Sequence, residues 1–168
     1  MTQPRGVEGR VCIVTGAARG IGRAIGETLI DEGAKVCFAD LDAGRAAEVA
    51  EAAGARNGGT SAVSAGVDVR DRAQVREMIG ATVRAFGRLD VMFNNAGVNR
   101  PMNFLDVTEE NWALIMDVNG LGCLIGMQEA ARQMIAQGGG GKIVNTASIA
   151  SRQGFDNVAP YCASKWAV

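Results

Sequence analysis

Two titratable side chains stand four residues apart in the segment "PYCASKWAV" at the carboxyl end of the sequence. Residues at positions i and i+4 share one face of a helix, so a helix here would direct Tyr161 and Lys165 into the same space. A tyrosine hydroxyl is a weak base at neutral pH, but a nearby ammonium group and a helix N-terminus both favour the phenolate. The pair therefore predicts proton exchange between Tyr161 and a substrate oxygen atom.

The sequence contains no histidine, which restricts the acid–base chemistry that it can perform. It cannot form a Ser-His-Asp triad, and Tyr, Lys, Cys or a carboxylate must act where histidine usually would. The four cysteines, at positions 12, 37, 123 and 162, include no Cys-x-x-Cys pair. We therefore expect no metal site and expect the thiols to be reduced and packed in the interior.

The segment "TGAARGIG" places Gly16, Gly20 and Gly22 between a predicted strand and a predicted helix. Glycines at such a junction let the backbone turn sharply and approach a pyrophosphate, which the free N–H groups of the helix N-terminus stabilise. A glycine-rich turn without a ligand is the alternative for this loop taken alone. The loop predicts a phosphate-binding site.

Asp40 ends the next predicted strand, about 20 residues beyond the loop, where a carboxylate can accept hydrogen bonds from the adenosine ribose of a dinucleotide. Its charge would also repel a 2′-phosphate, which favours NAD over NADP. Arg19 in the loop could accommodate that phosphate, and capping the helix that begins near Ala43 is the alternative role for Asp40. The loop and Asp40 together predict NAD as the cofactor.

Short β-branched runs alternate with longer Ala-rich amphipathic segments along the whole chain. The predicted strands are residues 10–15, 34–40, 62–69, 89–95 and 141–148. The predicted helices are residues 20–33, 43–54, 72–86 and 108–136, with a last helix that begins at Pro160. Continuous apolar strands joined by helices imply a parallel sheet covered on both faces. The predicted fold class is α/β, a doubly wound parallel sheet of the Rossmann type, in one domain over residues 1–168.

The composition is that of an ordinary globular protein, with 48% apolar residues, 21% charged residues and a net charge of −1. Lysine and arginine are scattered, so we expect neither nucleic acid nor a membrane as a partner. The apolar runs are too short to span a bilayer, and the opening "MTQPRGVEGR" is too polar for a signal peptide. We expect a cytoplasmic protein that acts on a small molecule.

Five segments in this order resemble the classical short-chain dehydrogenase/reductase family: "TGAARGIG", "NNAG" at 94–97, "DVNG" with Asn119, "KIVNTAS" with Ser148, and "YCASK". The resemblance covers about residues 9–168. It implies a catalytic group made of Asn119, Ser148, Tyr161 and Lys165. It also implies cofactor contacts from Gly16, Arg19, Gly20, Ile21, Gly22, Asp40, Leu41, Asp68, Val69, Asn95, Ala96, Gly97, Tyr161 and Lys165.

The resemblance also implies individual roles. Asp68 and Val69 would hold the adenine, Lys165 would grip the nicotinamide ribose, and Asn119 would anchor a water molecule in a proton relay towards the lysine. Asn119 lies inside a predicted helix, where asparagine is unfavourable unless its side chain has a partner.

The substrate contacts are predicted just beyond the strand ends. Ser148 follows a strand, so its hydroxyl is placed to bind an alcohol or carbonyl oxygen, although a simple turn serine is the alternative. Tyr161 and Gln153 complete the predicted substrate contacts, with Asn99 and Phe155 as further candidates.

The predicted reaction is NAD-dependent hydride transfer between nicotinamide and a secondary alcohol, polyol or ketone. Reduction of a 3-oxoacyl thioester is one alternative, and a truncated dinucleotide-binding domain without turnover is another. Members of the family usually continue beyond the Tyr-Lys helix with two more strands, so the fold is expected to be truncated after its fifth strand. We expect a longer functional protein that forms a homotetramer, and an isolated 168-residue chain that is poorly soluble or inactive.

Overall fold

The structure, a computed structural model, describes residues 6–168. Residues 1–5 of the predicted domain, and with them half of the polar opening segment, lie outside the described residues. The strands are β1 (Val11–Thr15), β2 (Lys35–Asp40), β3 (Ala62–Gly66), β4 (Val91–Asn94) and β5 (Lys142–Asn145). They form one sheet in the order β3-β2-β1-β4-β5, and each neighbouring pair is parallel. The predicted doubly wound α/β class is confirmed.

The helices are α1 (Gly20–Asp31), α2 (Ala43–Ala55), α3 (Arg72–Phe86), α4 (Glu109–Met116), α5 (Gly122–Gln137) and α6 (Ala159–Ala167). Short polar side chains begin several of them: Asp42, Asp71 and Thr108 each accept a hydrogen bond from a backbone N–H of the first turn. Two short 3-10 helices, Phe104–Asp106 and Ile149–Ser151, lie in the loops that follow β4 and β5.

Helices cover both faces of the sheet, as the apolar strands predict. On one face, Leu29 and Ile30 of α1 and Val49 of α2 pack with Val14 and Phe38 of the central strands. On the other face, side chains of α3 and α5 pack with alternate residues of the same strands, namely Val75, Met78, Ile125 and Met134 against Ile13, Cys37 and Met92. Burial on both faces explains why these strands read as continuous apolar runs.

The helix predicted over residues 108–136 contains an interruption. Thr108 caps α4 through its hydroxyl, which accepts the Asn111 N–H at 3.1 Å. A π-helical turn, Asp117–Leu121, then joins α4 to α5 without a break in the helical path. Such turns often occur at functional sites. This one holds Asn119 at its centre.

The strand order creates a switch point between β1 and β4. The chain runs outward from β1 through β2 to β3, and α3 then returns it to the opposite side of β1. In open parallel sheets, ligands bind beyond the carboxyl ends of the strands at such a point. The fold therefore assigns the candidate site to the loops after β1 and β4.

Two further expectations concern the molecule as a whole. All four cysteines are buried free thiols. Within residues 6–168, the helices are too short or too polar to cross a membrane.

Candidate active site

A cleft of about 810 Å³ opens at the switch point. It brings together most of the residues predicted to contact the cofactor or substrate: Gly16, Arg19, Ile21, Gly22, Asp40, Leu41, Asp68, Val69, Asn95, Ala96, Gly97, Asn99, Tyr161 and Lys165. Gly20 does not line the cleft. It starts α1 with a φ of 56°, a conformation that favours glycine.

Gly16 and Gly22 of the glycine loop are packed too closely to accept side chains. A Cβ atom on Gly22 would lie 2.2 Å from the carbonyl oxygen of Gly16, and one on Gly16 would lie 2.9 Å from the Cα atom of Ala96. At these two positions the loop therefore presents bare backbone near the N-terminus of α1. This cradle fits the phosphate groups of a dinucleotide.

Asp40 lies at the end of β2 and faces the cleft. Its Oδ2 atom accepts the N–H of Ala18 in the glycine loop at 3.0 Å, and its Oδ1 atom accepts the N–H of Asp42 at 3.1 Å. Asp42 is the residue that caps α2, by accepting the N–H of Arg45, so the alternative of Asp40 as the helix cap is wrong. A carboxylate has about four acceptor positions, which leaves Asp40 capacity for ribose hydroxyls.

Thr15, the last residue of β1, joins that strand to the segment after β4. Its hydroxyl accepts the N–H groups of Asn95 at 3.0 Å and Ala96 at 3.1 Å, and donates to the carbonyl of Phe93 at 3.2 Å. The Asn95 side chain returns a hydrogen bond to the Thr15 carbonyl at 2.9 Å. This network fixes the floor of the cleft. The sequence prediction did not include Thr15, although a threonine that ends an apolar strand was a visible signal.

Lys165 is a buried ammonium that faces the cleft. It is 5% exposed, and its Nζ atom donates to the backbone carbonyl of Thr146 at 2.7 Å. Burial lowers the pKa of Lys165 from its usual value. An ammonium has three N–H donors, so two remain for a ligand in the cleft.

Tyr161 lies one helical turn before Lys165 in α6. Its half-buried side chain lines the same cleft, and the Lys165 Nζ atom is 5.7 Å from the centre of its ring. Pro160 occupies the first turn of the helix, where a missing N–H is tolerated. The predicted helix therefore places both side chains at one site.

Ser148 was predicted to end a strand, but β5 stops earlier, at Asn145. Beyond that residue the backbone turns, with the N–H of Ala147 bonded to the carbonyl of Asn145 at 3.1 Å. The Ser148 hydroxyl caps the following 3-10 helix by accepting the Ala150 N–H at 3.2 Å, and the residue is not among those that line the cleft.

Asn119 has the partners that its place inside a helix requires. Its Oδ1 atom accepts the N–H of Val98 at 2.8 Å. Its Nδ2 atom donates to the Val98 carbonyl at 3.0 Å and to the Ser164 hydroxyl at 2.9 Å. The side chain is 2% exposed and does not line the cleft itself. The water relay implied by the family resemblance stays a prediction.

The carboxylate of Asp68 is already paired within the cleft. It forms an ion pair with Arg70, with 2.6 Å between Oδ2 and the guanidinium, and the hydrogen bonds from Arg70 hold its pKa below the usual value. Sequence reasoning did not single out Arg70. The predicted adenine contacts of Asp68 and Val69 remain predictions.

Two of the candidate substrate residues lie apart from this cleft. Gln153 and Phe155 are exposed, and neither is a lining residue. They belong to the loop before α6, which is tied at its end to the segment after β4 by a hydrogen bond from the Met102 N–H to the Asn157 carbonyl at 2.7 Å. Asn99 does line the cleft, together with Arg100, which was not predicted.

The sequence model of the family described as "short chain dehydrogenase" matches residues 10–168. The chain belongs to the short-chain dehydrogenase family. It is 38% identical to a sorbitol dehydrogenase from Cereibacter sphaeroides. The alignment spans 162 residues and covers 96% of this chain and 61% of that protein. The chain is 39% identical over 159 residues to a galactitol 2-dehydrogenase from Agrobacterium fabrum, which covers 95% and 60% respectively.

Solved structures of the short-chain dehydrogenase family share the fold. A short-chain dehydrogenase/reductase from Burkholderia phymatum, in complex with NAD, superposes with a TM-score of 0.89 at 34% identity, over 95% of this chain and 56% of that one. The chain thus spans about 60% of the length of the two curated short-chain dehydrogenases that it matches.

Proposed function

We propose that the protein that contains this chain is an NAD-dependent oxidoreductase, which transfers a hydride between nicotinamide and a secondary alcohol, polyol or ketone. One observation carries the proposal: the glycine loop, Asp40 and the Tyr161–Lys165 pair all line a single cleft. The similarity to a sorbitol dehydrogenase and a galactitol 2-dehydrogenase supports a polyol as the substrate class.

The described residues fit a dinucleotide. The bare backbone around Gly22 suits a pyrophosphate, Asp40 can accept hydrogen bonds from the adenosine ribose, and the buried Lys165 has two N–H groups for the nicotinamide ribose. When bound, the nicotinamide supplies the acceptor for the hydride.

The chain itself would hold the substrate and move its proton. In the oxidation direction, Tyr161 takes the proton of the substrate hydroxyl, and in reduction it returns one to the carbonyl oxygen. Lys165, fixed by the Thr146 carbonyl, places a positive charge 5.7 Å from the centre of the Tyr161 ring, which would favour the phenolate. Ser148 does not itself line the cleft but follows Thr146, which does, and its hydroxyl would hydrogen-bond the same substrate oxygen. Asn119, buried behind the cleft, would hold the water molecule that connects Lys165 to solvent.

NAD rather than NADP is the proposed cofactor. Asp40 places a carboxylate at the end of β2, beside the glycine loop, where it would meet the adenosine ribose and repel a 2′-phosphate. Arg19 and Arg45 also line the cleft and oppose this preference. A similar solved structure contains NAD.

The assembly and location are proposals of the same kind. We propose that the full-length protein is a cytoplasmic homotetramer. Light scattering on the purified full-length protein would measure its mass directly, and a monodisperse monomer would contradict the tetramer.

The function is tested with the full-length protein and a panel of polyols. We expect reduction of NAD⁺ in the presence of a secondary alcohol such as sorbitol or galactitol, and tighter binding of NADH than of NADPH by fluorescence titration. If the protein acted only on 3-oxoacyl thioesters, these would replace secondary alcohols and polyols as the proposed substrate class. Equal or tighter binding of NADPH would show that Arg19 and Arg45 outweigh Asp40.

A further inference from the structure

Ser164 lies in α6 between the two residues proposed to carry the chemistry, and it is fully buried. Its hydroxyl donates to the carbonyl oxygen of Tyr161 at 2.8 Å and accepts the Nδ2 hydrogen bond of Asn119 at 2.9 Å. We propose that Ser164 is a positioning residue of the active site, which fixes Tyr161 on α6 relative to Asn119. This inference rests on the proposed function, because it assigns Tyr161 a place in the reaction.

The contact joins three segments of the cleft at one point. Asn119 belongs to the π-helical turn, Ser164 to α6, and Val98 to the segment after β4. Both N–H groups of the Asn119 amide are used, one by Val98 and one by Ser164, while its oxygen accepts the Val98 N–H. Buried donors without partners are costly, so this arrangement fixes how the three segments sit together.

The Asn119 amide lies close to the cleft and to the ammonium of Lys165. A Cβ atom on Gly97 would lie 3.2 Å from the Asn119 Oδ1 atom and 3.7 Å from the Lys165 Nζ atom. The amide and the ammonium therefore approach the same small volume beside the loop.

A serine at position 164 lowers the intrinsic stability of α6, and the two hydrogen bonds of its hydroxyl offset that cost. Serine is a weaker helix former than alanine, because its side chain competes for backbone groups. Here it bonds to the backbone of its own helix, at the residue whose side chain faces the cleft, while it receives the amide of another element. Its two contacts thus join the backbone of Tyr161 to Asn119.

The two ends of the Tyr-Lys motif are held independently, which separates turnover from cofactor binding. Lys165 is tied to the end of β5 through the Thr146 carbonyl, a bond that does not involve Ser164. Loss of the Ser164 hydroxyl should therefore loosen the placement of Tyr161 while it leaves Lys165 and the glycine loop in position. The role predicts a fall in kcat with little change in cofactor affinity.

The test compares Ser164→Ala with Thr82→Val in the full-length protein. Thr82 is also fully buried, and its hydroxyl donates to the Met78 carbonyl at 2.8 Å within α3. Neither Thr82 nor Met78 lines the cleft. We expect Ser164→Ala to lower kcat about tenfold, as loss of one buried hydrogen bond can do, with the Kd for NADH within about twofold of wild type. Thr82→Val should lose thermal stability and keep kcat.

Asn119→Ala and the double variant show whether Ser164 acts through Asn119. If it does, Ser164→Ala should add little to the loss caused by Asn119→Ala, whereas independent roles would give losses in kcat that multiply. Multiplied losses, or a normal kcat for Ser164→Ala, would overturn the inference. If Asn119→Ala does not fold, the comparison with Thr82→Val decides alone.

Two further variants keep the outcomes distinct. If Ser164→Ala does not fold, Ser164→Cys can replace it, because the thiol keeps the approximate size of the side chain and a weak donor. We expect Ser164→Cys to lower kcat by less than the tenfold expected for Ser164→Ala. A kcat equal to that of wild type would again overturn the inference. Tyr161→Phe separates the two proposals. A Tyr161→Phe protein with normal turnover contradicts the proposed function itself, whereas an inactive Tyr161→Phe beside a fully active Ser164→Ala contradicts only the role of Ser164.

Discussion

The proposed reaction depends most directly on the hydroxyl oxygen of Tyr161. Tyr161→Phe removes that oxygen and keeps the ring in the cleft. Since general acid–base catalysis contributes about 100-fold or more, we expect kcat to fall by at least that factor while the Kd for NADH stays nearly unchanged. Steady-state kinetics and fluorescence titration would check both values. Near-normal turnover would exclude Tyr161 as the acid–base group.

Lys165 combines a proposed function with a cost in stability. Its ammonium is buried and its pKa is lowered by that burial, so the unfolded state binds more protons between the lowered pKa and the usual 10.5. The free energy of unfolding therefore rises with pH through that window. Below it, the folded protein is destabilised by the full cost of burying the charged ammonium. Lys165→Met keeps the aliphatic stem and removes the titration.

We expect Lys165→Met to weaken NADH binding and turnover together, because the ribose contact and the charge beside Tyr161 are both lost. In urea denaturation, wild type should gain stability relative to Lys165→Met as the pH rises from neutral towards about 10. Lys142→Met gives a control for the loss of a lysine at an exposed position, because Lys142 is an exposed residue of β5. A difference between wild type and Lys165→Met that does not change with pH would contradict the cost assigned to burial.

At the scale of the elements, strands and helices were predictable because their apolar patterns repeat. The prediction of residues 72–86 as a helix matches α3 at both ends, and Asp71 and Gly87 supply its two caps. The π-helical turn at 117–121 was not predictable, because one extra residue hardly disturbs the apolar pattern. The end of β5 was misplaced for a related reason: "NTAS" is compatible with a strand, but the backbone turns there through the hydrogen bond from the Ala147 N–H to the Asn145 carbonyl.

The glycine loop and α1 provide a test of how tightly elements meet at the cleft. A Cβ atom on Gly22 would collide with backbone, so Gly22→Ala should cost about 1–3 kcal/mol in the free energy of unfolding and abolish NADH binding. Gly44, near the start of α2, has only the tip of Asp42 nearby, at 3.8 Å. Gly44→Ala should therefore stabilise the protein by about 0.5–1 kcal/mol. Equal effects of the two changes, measured by denaturation, would contradict the close packing of the loop.

At the scale of the whole molecule, the sequence predicted which residues gather at the site better than it predicted what holds them. Gly16, Asp40, Tyr161 and Lys165 were identified because their spacing relative to the predicted strands and helices, and the motifs they belong to, indicate a particular chemistry. The groups that hold this helix in place, such as the Thr146 carbonyl at Lys165 and the Asn119 amide at Ser164, come from segments distant in sequence. Such contacts depend on how the elements pack, and no local pattern records them.

The edge of the sheet leads to a prediction about the 168-residue chain taken alone. Among the described strands, β5 pairs only with β4, and Val144 on it is 43% exposed. An exposed apolar edge strand invites pairing with other chains, so we expect the isolated chain to aggregate.

Val144→Lys should reduce that aggregation, because a charge on an edge strand opposes the pairing of strands from two molecules. Ile135→Lys is the matched control, since Ile135 is 80% exposed but lies on α5 rather than on an edge strand. Light scattering on the purified variants at equal concentration would compare them. If Ile135→Lys reduced aggregation as much as Val144→Lys, general surface hydrophobicity rather than the free edge of β5 would be responsible.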